Sequence, residues 1–350
     1  MVKYLFKIGA GGLLLVMALF HSAKAQTTDA VAENMLLYQR ADGGWTKSWS
    51  KFRIDYTKPV SGAKKDTVLK EVKADNFTST IDNNATTTEI AYLLKTYKKT
   101  GNEKYLAAAK SGIQYLLDAQ YANGGWAQFY PAKKGYYTHI TYNDNAMIHV
   151  MQLLQHIADG TDDTEMLDKT VAEKSKKAVA KGIDCILKTQ VTADGKLTVW
   201  CAQHDEITLK PANARAYELV SLSGLESVPL VEFLMRVKQP SPAIIRSVKA
   251  AVTWFEQVKM TGYDFVTVPD STQEKGIEKY LVKDPTSTIW ARFYHIGSNE
   301  PFVCGTDGIA RASVTEIGHE RRVGYLWYGR WPAQLLEKDY PEWLHKQSVK

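Results

Sequence analysis

The sequence predicts a mainly α-helical chain, an α/α toroid of repeated helical hairpins with long irregular loops gathered at one mouth. Three observations predict it. Amphipathic stripes of helical period recur through most of the chain, strand-like alternation is scarce, and a Gln-to-Gly-Gly-Trp signature returns at helix ends.

Taken in order, residues 1–25 read as a secretory signal. Lys3 and Lys7 form a basic start, Ile8 to Phe20 an apolar stretch, and Ala23-Lys24-Ala25 a small-residue cleavage site before Gln26. That stretch is short for a membrane span, which needs about 17–25 apolar residues. The expectation is a secreted or periplasmic protein, not inserted in a membrane, with residues 26–350 as one catalytic domain. The first helix end is Leu36-Leu37-Tyr38-Gln39 running into Gly43-Gly44-Trp45. Trp49 to Asn76 follows as a polar, Lys-rich stretch with Pro59 and Gly62, a candidate wall of a cleft. Thr88 to Lys99 then carries Ile90, Leu93, Leu94 and Tyr97 on one face, with a stop at Thr100-Gly101-Asn102. Glu103 to Ala119 repeats the stripe through Tyr105, Leu106, Ala109, Ile113, Leu116 and Leu117, and Gln120 leads into Gly124-Gly125-Trp126. Further helices are predicted at Asn145 to His156, Glu173 to Thr189, Arg215 to Leu222, Ser227 to Lys238 and Ser241 to Lys259. Gln190 before Asp194-Gly195 is a degenerate echo of the same signature. Met260 to Thr288, with Pro269, Gly276 and Pro285, is predicted to be a second long loop.

Composition narrows the class. The chain has 350 residues, 45% hydrophobic and 23% charged, which excludes a disordered or fibrous protein. Lys plus Arg (44) exceed Asp plus Glu (38) by 6. Three of those lysines lie in residues 1–25, so 41 against 38 remain, or +3, too small a bias to mark a nucleic-acid binder. Cys185, Cys201 and Cys304 allow at most one disulfide, Cys185 with Cys201 being one option, and their spacing matches no structural zinc motif.

Two clusters carry candidate chemistry. Asp82-Asn83-Asn84 and Asn143-Asp144-Asn145 each precede a helix. They read either as turn and cap residues or as hard oxygen donors suited to calcium. Arg215 opens a predicted helix, where a cation is disfavoured, so it needs an anionic partner or a function. Arg292 stands among aromatics in Trp290-Ala291-Arg292-Phe293-Tyr294. Trp126, Tyr136 and Tyr137 are placed to stack on sugars, whereas Trp45 reads better as a plug at the end of a repeat.

In combination, Gly-Gly-Trp-Ala-Gln-Phe-Tyr-Pro (124–131), Thr-Ile-Asp-Asn-Asn-Ala-Thr (80–86), Ile-Thr-Tyr-Asn-Asp (140–144), Ala-Arg-Ala-Tyr-Glu (214–218), Trp-Ala-Arg-Phe-Tyr (290–294) and Arg-Arg-Val-Gly-Tyr-Leu-Trp-Tyr-Gly (321–329) closely resemble the family-10 pectate lyases. The resemblance spans nearly the whole mature chain. It implies an α/α-toroid module, calcium as cofactor, and β-elimination on polygalacturonate, an anionic polysaccharide. It also implies Asp82 and Asp144 as calcium-associated catalytic carboxylates, Arg215 as the base and Arg292 as a substrate-carboxylate contact. Asn83, Asn143, Trp126 and Arg321, in or beside the same motifs, are expected to bind substrate, and the protein is expected to be a monomer. Where that family carries an arginine before Asp-Gly, this chain has Thr306, a lost cation that Arg311 is near enough in sequence to replace.

The chemistry is consistent with these residues. A neutral guanidine at pH 9 costs roughly 5–6.5 kcal/mol from the ordinary arginine pKa, a cost that calcium, Arg292 and a helix start would lower. Two alternatives remain open at this point: glycoside hydrolysis by Glu89 and Glu218, and a non-catalytic pectin-binding homologue.

Overall fold

The computed structural model describes residues 27–49, 52–73, 79–131 and 133–348, so the expected signal segment lies outside the described residues. Helices form where the apolar stripes run, several of them beginning at a capping side chain. They are α1 (Ala30–Tyr38), α2 (Gly62–Lys73), α3 (Thr87–Thr100), α4 (Glu103–Asp118), α5 (Ala146–Asp159), α6 (Lys169–Thr189), α7 (Ser227–Met235), α8 (Pro242–Gln257), α9 (His319–Gly324) and α10 (Tyr340–Ser348). Asp29, Asn102, Asp168 and Ser241 accept first-turn amides of α1, α4, α6 and α8. Helix α3 stops at Gly101, in the left-handed conformation.

Consecutive helices pair as α3 with α4, α5 with α6, and α7 with α8. Helices α3, α5 and α7 pack in one row and α4, α6 and α8 in a second. The repeat signature is what ties the rows together. Gln39 Nε2 donates to Gly43 O and to Ala108 O of α4, both at 2.8 Å. Gln120 Nε2 donates to Gly124 O at 2.9 Å and to Ala178 O of α6 at 2.8 Å. Gln190 repeats the device with Thr198 O and Ser247 O of α8. Glycine is required at two of these turns. Gly43 and Gly124 have φ of +92° and +94°, and a Cβ there would run into the Ser111 and Lys181 carbonyls of the helix behind. The indoles of Trp45 and Trp126 are fully buried and donate to Met35 O and Leu116 O, each at 2.8 Å.

The all-α expectation is wrong. The last third of the molecule is largely sheet, so the fold is mixed helix and sheet. Met260–Pro269 and Ile277–Ala291 form a long antiparallel pair, joined on the second strand by Tyr328–Gly329. A four-stranded sheet runs in the order Ala310–Arg311, Pro301–Cys304, Phe293–Tyr294, Leu222–Ser223. Of the residues read as loop markers, Pro269 ends the first strand and Gly276 lies in the turn joining the pair, while Pro285 marks an irregularity inside the second strand. The pairing jumps from Thr261↔Thr288 to Tyr263↔Lys283, so Gly262 and Pro285 sit in a bulge, where a missing amide hydrogen is tolerated. The helix expected at Arg215 to Leu222 is also absent. Those residues form a turn, with Glu218 N donating to Arg215 O at 2.8 Å, followed by a short strand.

All three cysteines are buried and unbridged. Among the described residues no helix is long and apolar enough to cross a membrane.

Candidate active site

The site follows from the row α3, α5, α7, because all three helices begin at the same place. Ahead of α3, Asp82–Asn84 makes one turn of 3-10 helix in which Asn83 and Asn84 take φ of +50° and +66°. Ahead of α5, Asn143–Asn145 does the same, with Asp144 and Asn145 at +51° and +61°. Asn and Asp tolerate the left-handed region better than other side-chain-bearing residues, which is why these types occupy both turns. The two turns pack against each other, and Glu226 stands beside them as the residue preceding α7. Asn83, Asn84, Asp144, Asn145, Leu225 and Glu226, with Arg53, His149 and Leu326, line an open cavity of about 440 Å³. Three helix N-termini there favour negative charge, whether from the chain's own carboxylates or from a bound anion.

Each buried position in the turns meets a cation. Asp82, 3% exposed, is paired with Lys47. Asn143 Oδ1 accepts from Arg292 Nη2 at 3.0 Å. Arg292 is itself 3% exposed and is held by an ion pair with Glu226, whose other oxygen accepts from Ser223 Oγ. Arg292 Nη2 lies 3.8 Å from Asp144 Oδ1, and the guanidinium covers the ring of Tyr325 at 4.3 Å. Burial alone would lower the Arg292 pKa, but Glu226 and Asp144 outweigh it and hold the group charged.

Arg215 reaches this cluster through two intermediaries. Glu218 accepts from Arg215 Nε at 2.8 Å and forms an ion pair with Nη2. The Tyr325 hydroxyl donates to the same carboxylate at 2.8 Å, so Arg215, Glu218, Tyr325 and Arg292 form one chain of contacts. Burial acts to lower the Arg215 pKa, yet Glu218 more than reverses it and the pKa is raised. This corrects the sequence expectation twice, since no helix starts here and the nearest charge is an anion. Arg321 stacks over Tyr217 at 4.1 Å and pairs with Glu320 at 2.8 Å.

Trp126 is also corrected. An indole with no exposed surface cannot offer a face to sugar; it closes the end of a repeat, as Trp45 does. Tyr136 and Tyr137 remain paired at the surface, with ring centroids 4.1 Å apart. Thr306 lies in the Cys304–Gly308 loop, where Cys304 Sγ contacts Ala216 O at 3.7 Å, so position 306 borders the Arg215 segment. Arg311 does not stand free to replace the missing arginine, because Asp307 binds both its terminal nitrogens at 3.0 and 2.6 Å.

Sequence reasoning missed Glu226, Lys47 and Arg53, and it weighed Glu218 only as a hydrolase carboxylate, not as the partner of Arg215. Glu226 carried a usable signal, because it opens the third helix of the row as the Asp/Asn turns open the first two. Among the described residues, His139, Asp205 and Glu206 also bring ligand atoms within 4.8 Å of one another. That set includes an imidazole nitrogen already 3.1 Å from Glu206, whereas calcium selects oxygen donors.

The model for the pectic acid lyase family matches residues 39–336. Among solved structures, a family 10 polysaccharide lyase from Cellvibrio cellulosa is 37% identical, with 88% of this chain and 90% of that one covered and a TM-score of 0.75. A mutant of a family 10 polysaccharide lyase from the same organism, in complex with trigalacturonic acid, is 36% identical with the same coverage and TM-score. No curated protein matches. On that span and at that identity, the chain belongs to the pectic acid lyase family and is a polysaccharide lyase of family 10.

Proposed function

We propose that this protein is a calcium-dependent pectate lyase that cleaves polygalacturonate by β-elimination. The observation that carries the reading is the meeting of the Asp82 and Asp144 turns with Glu226 at three helix starts, in a chain whose relative was solved with trigalacturonic acid. The donor types suit calcium: Asn83, Asn84, Asp144, Asn145 and Glu226, all oxygen donors, line one cavity, and the neighbouring Asp82 already holds a cation, the Lys47 ammonium. Asp82 and Asp144 would hold the ion. The chemistry calcium supplies when bound is withdrawal of charge from the uronate carboxylate, which acidifies the proton on C5.

The chain's own groups do the rest. Glu218 fixes Nε and Nη2 of Arg215 in one plane, which leaves Nη1 as the nitrogen to meet the C5 proton. The C5–H electrons become the C4–C5 double bond, the C4–O bond breaks, and the leaving oxygen is protonated by water. Glu218 makes the neutral guanidine rarer but a stronger base once formed, which suits a carbon acid this weak. Arg292 and Arg321 supply positive potential near the departing charge. Residues 26–350 serve as the catalytic domain, and the segment before them supports export to the periplasm or the medium.

The test is purified protein on polygalacturonate with calcium or excess EDTA, read as ultraviolet absorbance of the unsaturated uronide. Rates should climb toward alkaline pH, because the neutral form of Arg215 grows tenfold per pH unit below its pKa. Undiminished turnover in EDTA would remove calcium from the scheme, and new reducing ends without unsaturation would make the protein a hydrolase.

A further inference from the structure

We infer that Arg53 forms an additional subsite for a uronate carboxylate, on the wall of the cavity that Glu226 also lines. The inference rests on the pectate reading above. Ser48–Trp49 and Phe52–Arg53 pair antiparallel, with Ser48 opposite Arg53, and this pair brings Arg53 to the Asp/Asn turns. Arg53 lines the cavity that holds Asn83, Asn84, Asp144 and Glu226. It also lines a smaller adjoining cavity of about 130 Å³, together with Lys47, Asn83, Asn84 and Glu89. The two cavities therefore share one cationic wall.

What marks Arg53 out among the arginines at the site is that it pairs with no carboxylate of the described residues. Arg215, Arg292, Arg311, Arg321, Arg322 and Arg330 each pair with a carboxylate. Arg53 is exposed and, among the described residues, forms no ion pair and donates no side-chain hydrogen bond. The acid that feels its charge is Glu89, which is buried and whose Oε1 accepts from the Tyr56 hydroxyl at 2.8 Å. A planar guanidinium facing a cavity with its donors unused matches the bidentate geometry of a carboxylate. A polymer with one carboxylate per sugar would present a carboxylate here while another sugar occupies the reacting position. Phe52 alternates to the other face of the strand and lines neither cavity, so it is not part of the subsite.

Calorimetric binding of trigalacturonate and hexagalacturonate to the full-length mature protein tests this, with Arg53→Ala, Arg53→Lys and Phe52→Ala compared with the parent. Arg53→Ala should weaken binding of the hexamer about tenfold and raise KM with kcat within about twofold, at an unchanged melting temperature. Arg53→Lys should recover part of the loss, and fully methyl-esterified hexamer should not distinguish the variants. Unchanged affinity in Arg53→Ala would overturn the inference. So would a drop in melting temperature without loss of affinity, which would make Arg53 a counter-charge for Glu89, or an equal loss in Phe52→Ala, which would assign the effect to the hairpin as a whole. If the parent binds neither oligomer, the pectate reading fails with it; if only the parent-to-variant difference is missing, the subsite alone fails.

Discussion

The turns ahead of α3 and α5 are one backbone device loaded differently. In each, the first residue points inward and the next two take left-handed φ. That puts Asp82 in register with Asn143, and Asn83 with Asp144. The carboxylates that look equivalent in sequence are therefore offset by one position. Asp82 is buried against Lys47, while Asp144 faces the cavity with 41% of its side chain exposed. The counter-cations differ as well: Lys47 is 39% exposed, and Arg292 is 3% exposed and locked to Glu226. The lesson is that a turn fixes where a side chain points, and the residue type at each position then decides whether charge is stored inside or offered to a ligand.

Breaking the inner cations should separate the two turns most. Arg292→Met leaves Glu226 buried without its partner and should lower stability by about 3–5 kcal/mol in urea unfolding. Lys47→Met should cost about 1 kcal/mol or less, because that pair is half in water. Pairing Arg292→Met with Glu226→Leu should restore most of the stability and none of the activity. Equal losses at the two sites would refute the contrast.

A smaller effect tests the offered carboxylate. Asp144→Asn should weaken calcium binding about 100-fold by calorimetry with the fold intact, and Asp82→Asn should weaken it less. The exchange Asp82→Asn with Asn83→Asp moves the first carboxylate into the register of the second and should tighten binding relative to Asp82→Asn alone. A stronger loss in Asp82→Asn than in Asp144→Asn would reverse the assignment.

The smallest effect is a pH dependence confined to the second turn. His204 is buried beneath it: Ile140 pairs with His204, and the Tyr142 ring lies 5.7 Å from the imidazole. Burial lowers its pKa to about 4, partly opposed by the hydrogen bond between Nδ1 and Leu209 O. The folded form thus binds the proton more weakly than the unfolded chain, so this stability is complete above about pH 6.5 and is lost as pH falls toward 4. Between pH 6.5 and 5 the loss should be about 2 kcal/mol. Amide exchange should open the α5 start before the α3 start, and His204→Gln should flatten the dependence.

Much of this was legible in residues alone. The stripes gave α3 to α6 and α8 within a few positions, because burying one face of a helix demands a period the sequence cannot hide. Gln39, Gln120 and Gln190 announced the repeat because each serves a local turn and one distant carbonyl. The strands after Met260 were not legible. One face of their outer part is only half-buried and the other exposed, which leaves the apolar alternation weak, and Pro285 imitates a loop while sitting in a bulge.

The sequence by itself determined the helical rows, the two Asp/Asn turns and the family, since these depend on spacing along the chain and on residues whose backbone preferences are their own. Only the tertiary structure decided which charges meet. Glu226 on Arg292, Glu218 on Arg215 and Lys47 on Asp82 bring together residues from separate elements, or from a turn the sequence reads as helix, and Coulomb energy depends on distance in space, where primary order carries no weight.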